Sequence, residues 1–366
     1  MNAPSPAPRQ LTVDDTLSAD QAYRLACEGT QLLWQGDFHN AKQLLQAMGR
    51  RLDAAAQRRR QPEAAPPAGV HPMAHAFHRE RQRQAHRARV LGALLLPLQA
   101  DYTLALRRAP DVQVACTQAW GPATGQARTV SLRELLGVIG AYEWRKKGVE
   151  IPALGPPPNN RIHPYHGVFS PVRGEYIDLV AQAPLPSRTL AFDIGVGTGV
   201  LSAVLAQRGV SQLVATDQDP RALACAEENL QRLGLSQRVT LLCADLFPPG
   251  TAPLVICNPP WVPARANAAI EHAVYDEDSR MLRGFLSGLR AHLAPEGEGW
   301  LILSDLAEHL HLRSRAQLMQ WVSDGGLRVI DRLDTRPRHA KANRSDDPLH
   351  AARSAEVTSL WRLGAA

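Results

Sequence analysis

The residues best suited to chemistry lie in a few short stretches, and the first is Asn258-Pro259-Pro260-Trp261. It follows the apolar run Leu254-Val255-Ile256-Cys257, which reads as a buried strand of a parallel sheet. A proline has no N–H for a sheet ladder and biases its predecessor towards extended backbone. Two in a row hold Asn258 and Trp261 in a stiff loop just past the strand's carboxyl end, the edge where open α/β sheets bind ligands. A carboxamide oxygen there can accept from an N–H, and an indole offers a plate for stacking. The plainer reading is a strand followed by an ordinary proline-rich loop, and the tetrapeptide alone does not decide between the two.

Other stretches strengthen the first reading. Phe192-Asp193-Ile194-Gly195-Val196-Gly197-Thr198-Gly199-Val200-Leu201-Ser202 is a glycine-rich turn between a strand and a helix, where backbone can approach a ligand closely. A dinucleotide fingerprint wants a small residue three past Gly197, and that slot holds Val200. Asp193, two residues before Gly195, is a poor neighbour for a pyrophosphate and suits a cationic or amine-bearing ligand. Asp217 ends the next strand, where an acid can accept both hydroxyls of a ribose. Asp245 follows the third strand, in Cys243-Ala244-Asp245-Leu246-Phe247, and is placed to accept from an adenine amine with Leu246 as an apolar neighbour. Each acid taken singly could be a helix N-cap. Four strand ends in order, each with a fitting residue, favour one shared site.

The elements that must position these residues run from Arg188 onwards. Strands are expected at Leu190–Phe192, Leu213–Thr216, Val239–Leu242, Leu254–Cys257, Gly299–Leu303, Leu327–Leu333 and Val357–Leu363, with helices between most of them. The fold class is α/β: a doubly wound, mostly parallel seven-stranded sheet with an antiparallel last strand. No helix is expected between the final two strands, which should pair as an antiparallel hairpin at one edge. Their connection contains Arg336-Pro337-Arg338-His339-Ala340-Lys341-Ala342-Asn343-Arg344, whose basic side chains would suit a phosphate backbone or simply a mobile surface loop.

Residues 1–15 read as a disordered tail and residues 16–150 as a mainly helical N-terminal region, a candidate for substrate recognition. Ser18 and Gln21 look like a capping box, and Leu32, Leu33 and Trp34 are assigned to the apolar face of the helix it opens. A second helix carries Ala41, Leu44, Leu45, Met48 and Leu52; residues 58–74 are linker-like; Ser131 opens a helix running through Trp144. Arg79, Arg83 and Arg87 share one helix face, either a phosphate-tracking stripe or, the favoured reading, a solvated side. The boundary to residues 161–366 is placed at Pro152 and Pro156-Pro157-Pro158.

Charge separates the two parts. Net charge is +7 over residues 1–160 and −1 over residues 161–366, which permits a polyanionic partner such as RNA without requiring one. No apolar run reaches membrane-spanning length, and the N-terminus has no hydrophobic signal core. The five cysteines, Cys27, Cys116, Cys225, Cys243 and Cys257, stand singly, suggesting neither a zinc site nor a disulfide frame. A reduced cytoplasm fits best.

In order and spacing, Asp193 to Gly199, Asp217, Asp245 and Asn258 to Trp261 resemble the successive motifs of the class I S-adenosylmethionine-dependent methyltransferases. More narrowly they resemble the branch with an Asn/Asp-Pro-Pro-aromatic motif, which modifies nitrogens of adenine, guanine or glutamine side chains. His166-Gly167-Val168-Phe169-Ser170 is similar to a segment of the small-subunit ribosomal RNA guanine-N2 methyltransferases. The resemblance covers residues 161–366 and implies S-adenosyl-L-methionine as cofactor, bound by Asp193, Gly195, Gly197, Gly199, Asp217, Asp245, Leu246 and Asn258. By the same resemblance Phe169, Pro171 and Arg173 would line the pocket, and Asn258, Pro259, Pro260 and Trp261 would carry catalysis.

A base amine or carboxamide nitrogen is a poor nucleophile because its lone pair is delocalised. In such a site Asn258 Oδ1 and the Pro259 carbonyl would each accept one N–H of the target NH2, aiming its lone pair at the methyl group, while Trp261 stacks on the planar target. The glutamine-modifying relatives usually have Tyr where this chain has Trp261, and the larger plate leans towards a base. The leading expectation is an N-methyltransferase acting on a nucleic-acid base, RNA favoured and translation-related. The alternatives are a protein glutamine N-methyltransferase and a cofactor-binding scaffold without catalysis.

Overall fold

The computed structural model describes residues 9–58, 66–172, 174–265, 274–337 and 347–366. The chain divides into two compact units, one made of the residues up to Val70 with His78–Glu143, the other of His71–Phe77 with Trp144–Ala366.

The N-terminal unit runs β1 (Gln10–Val13), α1 (Ala19–Cys27), β2 (Gln31–Trp34), α2 (Phe38–Arg58), α3 (Pro72–Gly92), β3 (Leu94–Leu98), α4 (Gln113–Trp120), β4 (Arg128–Ser131) and α5 (Leu132–Lys147). The first turns of α3 and the end of α5 belong to the other unit. Helices dominate, as expected, but they surround a four-stranded sheet of order β1-β2-β3-β4 that the periodicity did not reveal. Two expectations change. Leu32 to Trp34 lie on β2, not on α1, because Gly29 takes a left-handed backbone (φ 91°) and the Thr30 N–H returns to the Leu25 carbonyl at 3.0 Å, ending the helix. Within the tail expected to be disordered, Gln10–Val13 is ordered by parallel pairing with β2. The Ser18 cap stands, with its Oγ accepting from the Gln21 N–H.

The second unit begins with a short antiparallel pair, β5 (Val149–Glu150) and β6 (Arg161–Ile162), flanking the proline-rich connector. It continues through α6 (Glu175–Gln182), β7 (Leu190–Ile194), α7 (Val200–Gln207), β8 (Gln212–Asp217), α8 (Pro220–Arg232), β9 (Val239–Cys243), β10 (Ala252–Cys257), α9 (Arg280–His292), β11 (Leu293–Ser304), α10 (Leu306–His309), α11 (Arg315–Asp324), β12 (Leu327–Thr335), α12 (His350–Ala355) and β13 (Thr358–Ala365). The seven strands are ordered β12-β13-β11-β10-β7-β8-β9, parallel except for β13, which is antiparallel to both neighbours. The doubly wound, mostly parallel sheet with an antiparallel last strand is as expected.

The last two strands pair as foreseen, but α12 lies between them, and β13 slots between β11 and β12 so that β12 forms the edge. Of the basic connection, residues 338–346 lie outside the described residues.

Both faces of the sheet are covered, which is why its central strands are almost wholly apolar. Along β10, Leu254 and Ile256 join a core with α6 and α7, while Val255 and Cys257 face a second core with α9 and α11. Sheet order reverses between β7 and β10, and open α/β sheets bind ligands beyond the carboxyl ends of strands at such a switch point. No described helix is long and apolar enough to cross a membrane.

Candidate active site

Asp193 sits near the end of β7 and is only 1% exposed. Its Oδ2 accepts from Ser202 Oγ at 2.6 Å, while its Oδ1 is buried with no hydrogen-bond partner among the described residues. Burial pushes its carboxyl up to about 6, against the Ser202 hydrogen bond, with the nearby Asp217 charge adding a smaller push the same way. Buried carboxylate oxygens in folded proteins are normally matched by a donor, and Oδ1 has the capacity to accept one.

The glycine turn begins two residues after Asp193. The Gly195 and Val196 N–H groups both reach the Thr216 carbonyl, at 2.9 and 2.8 Å, tying the turn to β8. Gly195, Gly197 and Gly199 all have positive φ. That backbone is strained for any other residue, and at two of them a side chain would also crowd its neighbours. A Cβ on Gly195 would stand 2.6 Å from Met281 Cε, and one on Gly199, which starts α7, would stand 3.3 Å from Ala226.

Asp217 braces the same turn, since its Oδ2 accepts from the Gly197 N–H at 3.1 Å and its Oδ1 from the Asp219 N–H at 3.0 Å. The cap of α8 is Asp219, accepting from the Arg221 N–H, so helix capping does not explain Asp217. Burial raises the Asp217 carboxyl despite these hydrogen bonds. Asp245 is exposed and ion-paired with Arg280 at 2.5 Å. Leu246 adopts a left-handed backbone (φ 73°), and its carbonyl accepts from Thr216 Oγ1.

Asn258 follows β10 directly, and β10 pairs with β7 so that Ile256 stands opposite Asp193. The acceptor loop therefore starts beside the glycine turn. Pro259 is buried, and Trp261 is half-buried against the surrounding cores. Trp261 Nε1 donates to Asn258 Oδ1 at 2.9 Å, a bond that residue spacing alone did not suggest. Beyond it the Asp276 N–H reaches the Val262 carbonyl, and the Asp276 carboxylate accepts from the Met281 and Leu282 N–H groups, seating the start of α9 against the loop.

Not every expected residue converges. Phe169 is half-buried against the core and Pro171 is buried, both on a segment held to α8 by Arg221 Nη2 bonding the His166 carbonyl at 2.9 Å. Arg173 lies outside the described residues. In the N-terminal unit, Arg83 pairs with Glu80 and Arg87 with Asp53, which favours the solvated-face reading of that stripe.

One buried brace is not among the residues expected from sequence. Asn229 on α8 accepts from the His163 N–H at 2.7 Å and donates to the Thr198 carbonyl at 3.1 Å, joining the pre-strand segment to the glycine turn. Its signal was present: a polar residue on the helical stripe Ala222, Cys225, Ala226, Asn229, Leu230.

Comparison with known proteins fits this geometry. Residues 160–313 match the model of the methyltransferase small domain. The chain is 29% identical over 199 residues to a tRNA1(Val) (adenine(37)-N6)-methyltransferase of Shewanella loihica, covering 51% of this chain and 79% of that protein. It is 36% identical over 124 residues to a release factor glutamine methyltransferase of Moorella thermoacetica, covering 32% of this chain and 44% of that protein. A release factor glutamine methyltransferase of Cereibacter sphaeroides is 32% identical over 139 residues, and the match spans half of its length. The orphaned Asp193 Oδ1 fits a ligand ammonium, and Asp217 and Asp245 fit hydroxyl and amine donors, which is the donor set of S-adenosyl-L-methionine. Residues 160–313 of this chain are thus a methyltransferase small domain, of the class I S-adenosylmethionine-dependent methyltransferase kind.

Proposed function

We propose that this protein methylates an exocyclic nitrogen of a base in RNA. The observation that carries the reading is the Asn258–Trp261 loop, stiffened by Pro259 and Pro260, set one strand away from Asp193 and the glycine turn.

When bound, S-adenosylmethionine supplies an electrophilic methyl group on a sulfonium sulfur. Asp193 Oδ1 would hold its ammonium, Asp217 its ribose hydroxyls and Asp245 its adenine amine, with Gly195, Gly197, Gly199 and Leu246 shaping the backbone cradle. Phe169, Pro171 and Arg173 are assigned to the wall of the same pocket. A carbonyl oxygen has two lone pairs. Asn258 Oδ1 therefore keeps one for the target NH2 while the other is held by Trp261. The Pro259 carbonyl takes the second N–H. Held this way by Asn258 and Pro259, the nitrogen would present its lone pair to the methyl group that the cofactor supplies, and its surplus proton would leave for water. Catalysis of this kind is positioning and electrostatics, and no general base is needed before transfer.

Two features favour a base over a glutamine side chain. Trp261 is a larger stacking surface than a carboxamide needs. The tRNA adenine-N6 relative is also matched over 79% of its length, against 44% and 50% for the two glutamine methyltransferases. RNA further suits the basic balance of residues 1–160, which we assign to substrate recognition. A protein glutamine acceptor is the second reading, since the same clamp fits its amide. Transfer of labelled methyl groups to separated RNA, DNA and protein fractions tests the choice: RNA is expected to take the label, and label in protein alone would overturn the base reading.

A further inference from the structure

Arg313 lies in the turn between α10 and α11, beyond the carboxyl end of β11 and so on the sheet edge that carries Asn258. It is only 3% exposed, and two of its nitrogens, Nε and Nη2, are buried without a hydrogen-bond partner among the described residues. A desolvated cation is costly unless paired, so a guanidinium in this position asks what it is for.

The nearby acids do not answer. Glu308 and Asp276 both act on Arg313 electrostatically. Yet Glu308 is taken by Arg315, whose Nε bonds both its oxygens at 2.8 and 3.0 Å. Asp276 is taken by the backbone N–H groups that open α9. Among the described residues Arg313 forms no ion pair. Its neighbours in the chain, Leu310 and Leu312, pack in the same apolar cluster as Trp261, Val262 and Tyr275. The unclaimed cation thus borders the acceptor loop.

We propose that Arg313 binds a phosphate of the methyl-accepting strand, beside the base held by Asn258 and Trp261. This rests on the RNA reading above. A planar guanidinium matches a phosphate with two parallel N–H bonds, and every nucleotide carries such an oxyanion next to its base. A glutamine side chain carries none at a fixed distance. The strand supplies the partner that the folded chain withholds, so the cost of the buried charge is recovered only when acceptor is bound.

The test uses the full chain with total cellular RNA as acceptor, comparing wild type, Arg313→Met and Arg313→Lys. Arg313→Met should raise the melting temperature, because it removes an unpaired buried charge. It should also raise KM for RNA roughly tenfold with kcat within about threefold, and flatten the dependence of log KM on log salt by about one unit. Arg313→Lys should recover part of the KM loss. A lower melting temperature in Arg313→Met would show that the guanidinium is held by the fold and overturn the proposal, as would an unchanged KM and salt slope. A wild-type chain that transfers no methyl group to RNA would overturn the RNA reading itself, and this inference with it.

Discussion

Trp261 donates its indole N–H to Asn258 Oδ1 at 2.9 Å, so the two ends of the Asn-Pro-Pro-Trp turn are joined by their side chains as well as by the prolines between them. The bond fixes which way the Asn258 amide faces and leaves one oxygen lone pair for an incoming N–H. A tyrosine or phenylalanine at this position would stack but has no N–H to give the carboxamide. Trp261→Phe should therefore keep cofactor affinity within about twofold while lowering kcat by roughly tenfold, the loss that about 1.4 kcal/mol of positioning would cause. Steady-state kinetics beside calorimetric titration with S-adenosylmethionine measures both; unchanged kcat would reduce Trp261 to a stacking plate.

Asp217, which we assign to the cofactor's ribose, also holds the Gly197 N–H. Asp217→Ala should weaken S-adenosylmethionine binding by roughly 10- to 100-fold, the range expected for hydrogen bonds to a charged group. Titration calorimetry reads this, and affinity within threefold of wild type would remove Asp217 from the site.

The Asp193 carboxyl is raised from 3.8 to about 6, first by burial. The folded state therefore prefers the protonated form more than the unfolded chain does. Stability should fall as pH rises from about 4 to about 6, by on the order of 3 kcal/mol in all, and the cost is complete above that window. Asp193→Asn should abolish this slope and melt higher than wild type at pH 8. Cofactor affinity should move the other way in wild type, tightening as pH rises through about 6 and the carboxylate forms for the ligand ammonium. Melting curves and calorimetric titrations at pH 5 and pH 8 check both signs.

Arg280 and Asp245 are both exposed, and screening makes such ion pairs weak. An adenine amine can therefore replace Arg280 on Asp245 at little cost. Asp245→Ala should weaken cofactor binding by about tenfold, from the loss of one hydrogen bond to a charged group, whereas Arg280→Ala should leave it within about threefold. Equal losses in the two variants would mean that the ion pair itself shapes the pocket.

The ends of four strands were legible in the sequence because each carries its chemistry locally: a largely apolar run that ends at one polar residue, with a glycine or proline close behind at Asp193 and Asn258. Asp193, Asp217, Asp245 and Asn258 are such positions, and the sheet brings them to one edge because parallel strands share a carboxyl end. What stayed hidden depends on partners distant in sequence. Gln10–Val13 is too short and polar to announce a strand, and only pairing with Gln31–Trp34 makes it one. Arg280 reaches Asp245 across a loop, and Asn229 joins two segments that no periodicity connects. Trp261 was visible as an aromatic plate, but its hydrogen bond needed the turn to be closed.

The most direct measurement is nucleoside analysis of RNA incubated with S-adenosylmethionine and either wild type or Asn258→Ala. Wild type should yield a nucleoside methylated on an exocyclic base nitrogen, and Asn258→Ala should yield none while binding cofactor within a few-fold of wild type. Methylation of a ring nitrogen or ribose hydroxyl, or undiminished product from Asn258→Ala, would contradict the assignment of Asn258 as the clamp on an NH2 group.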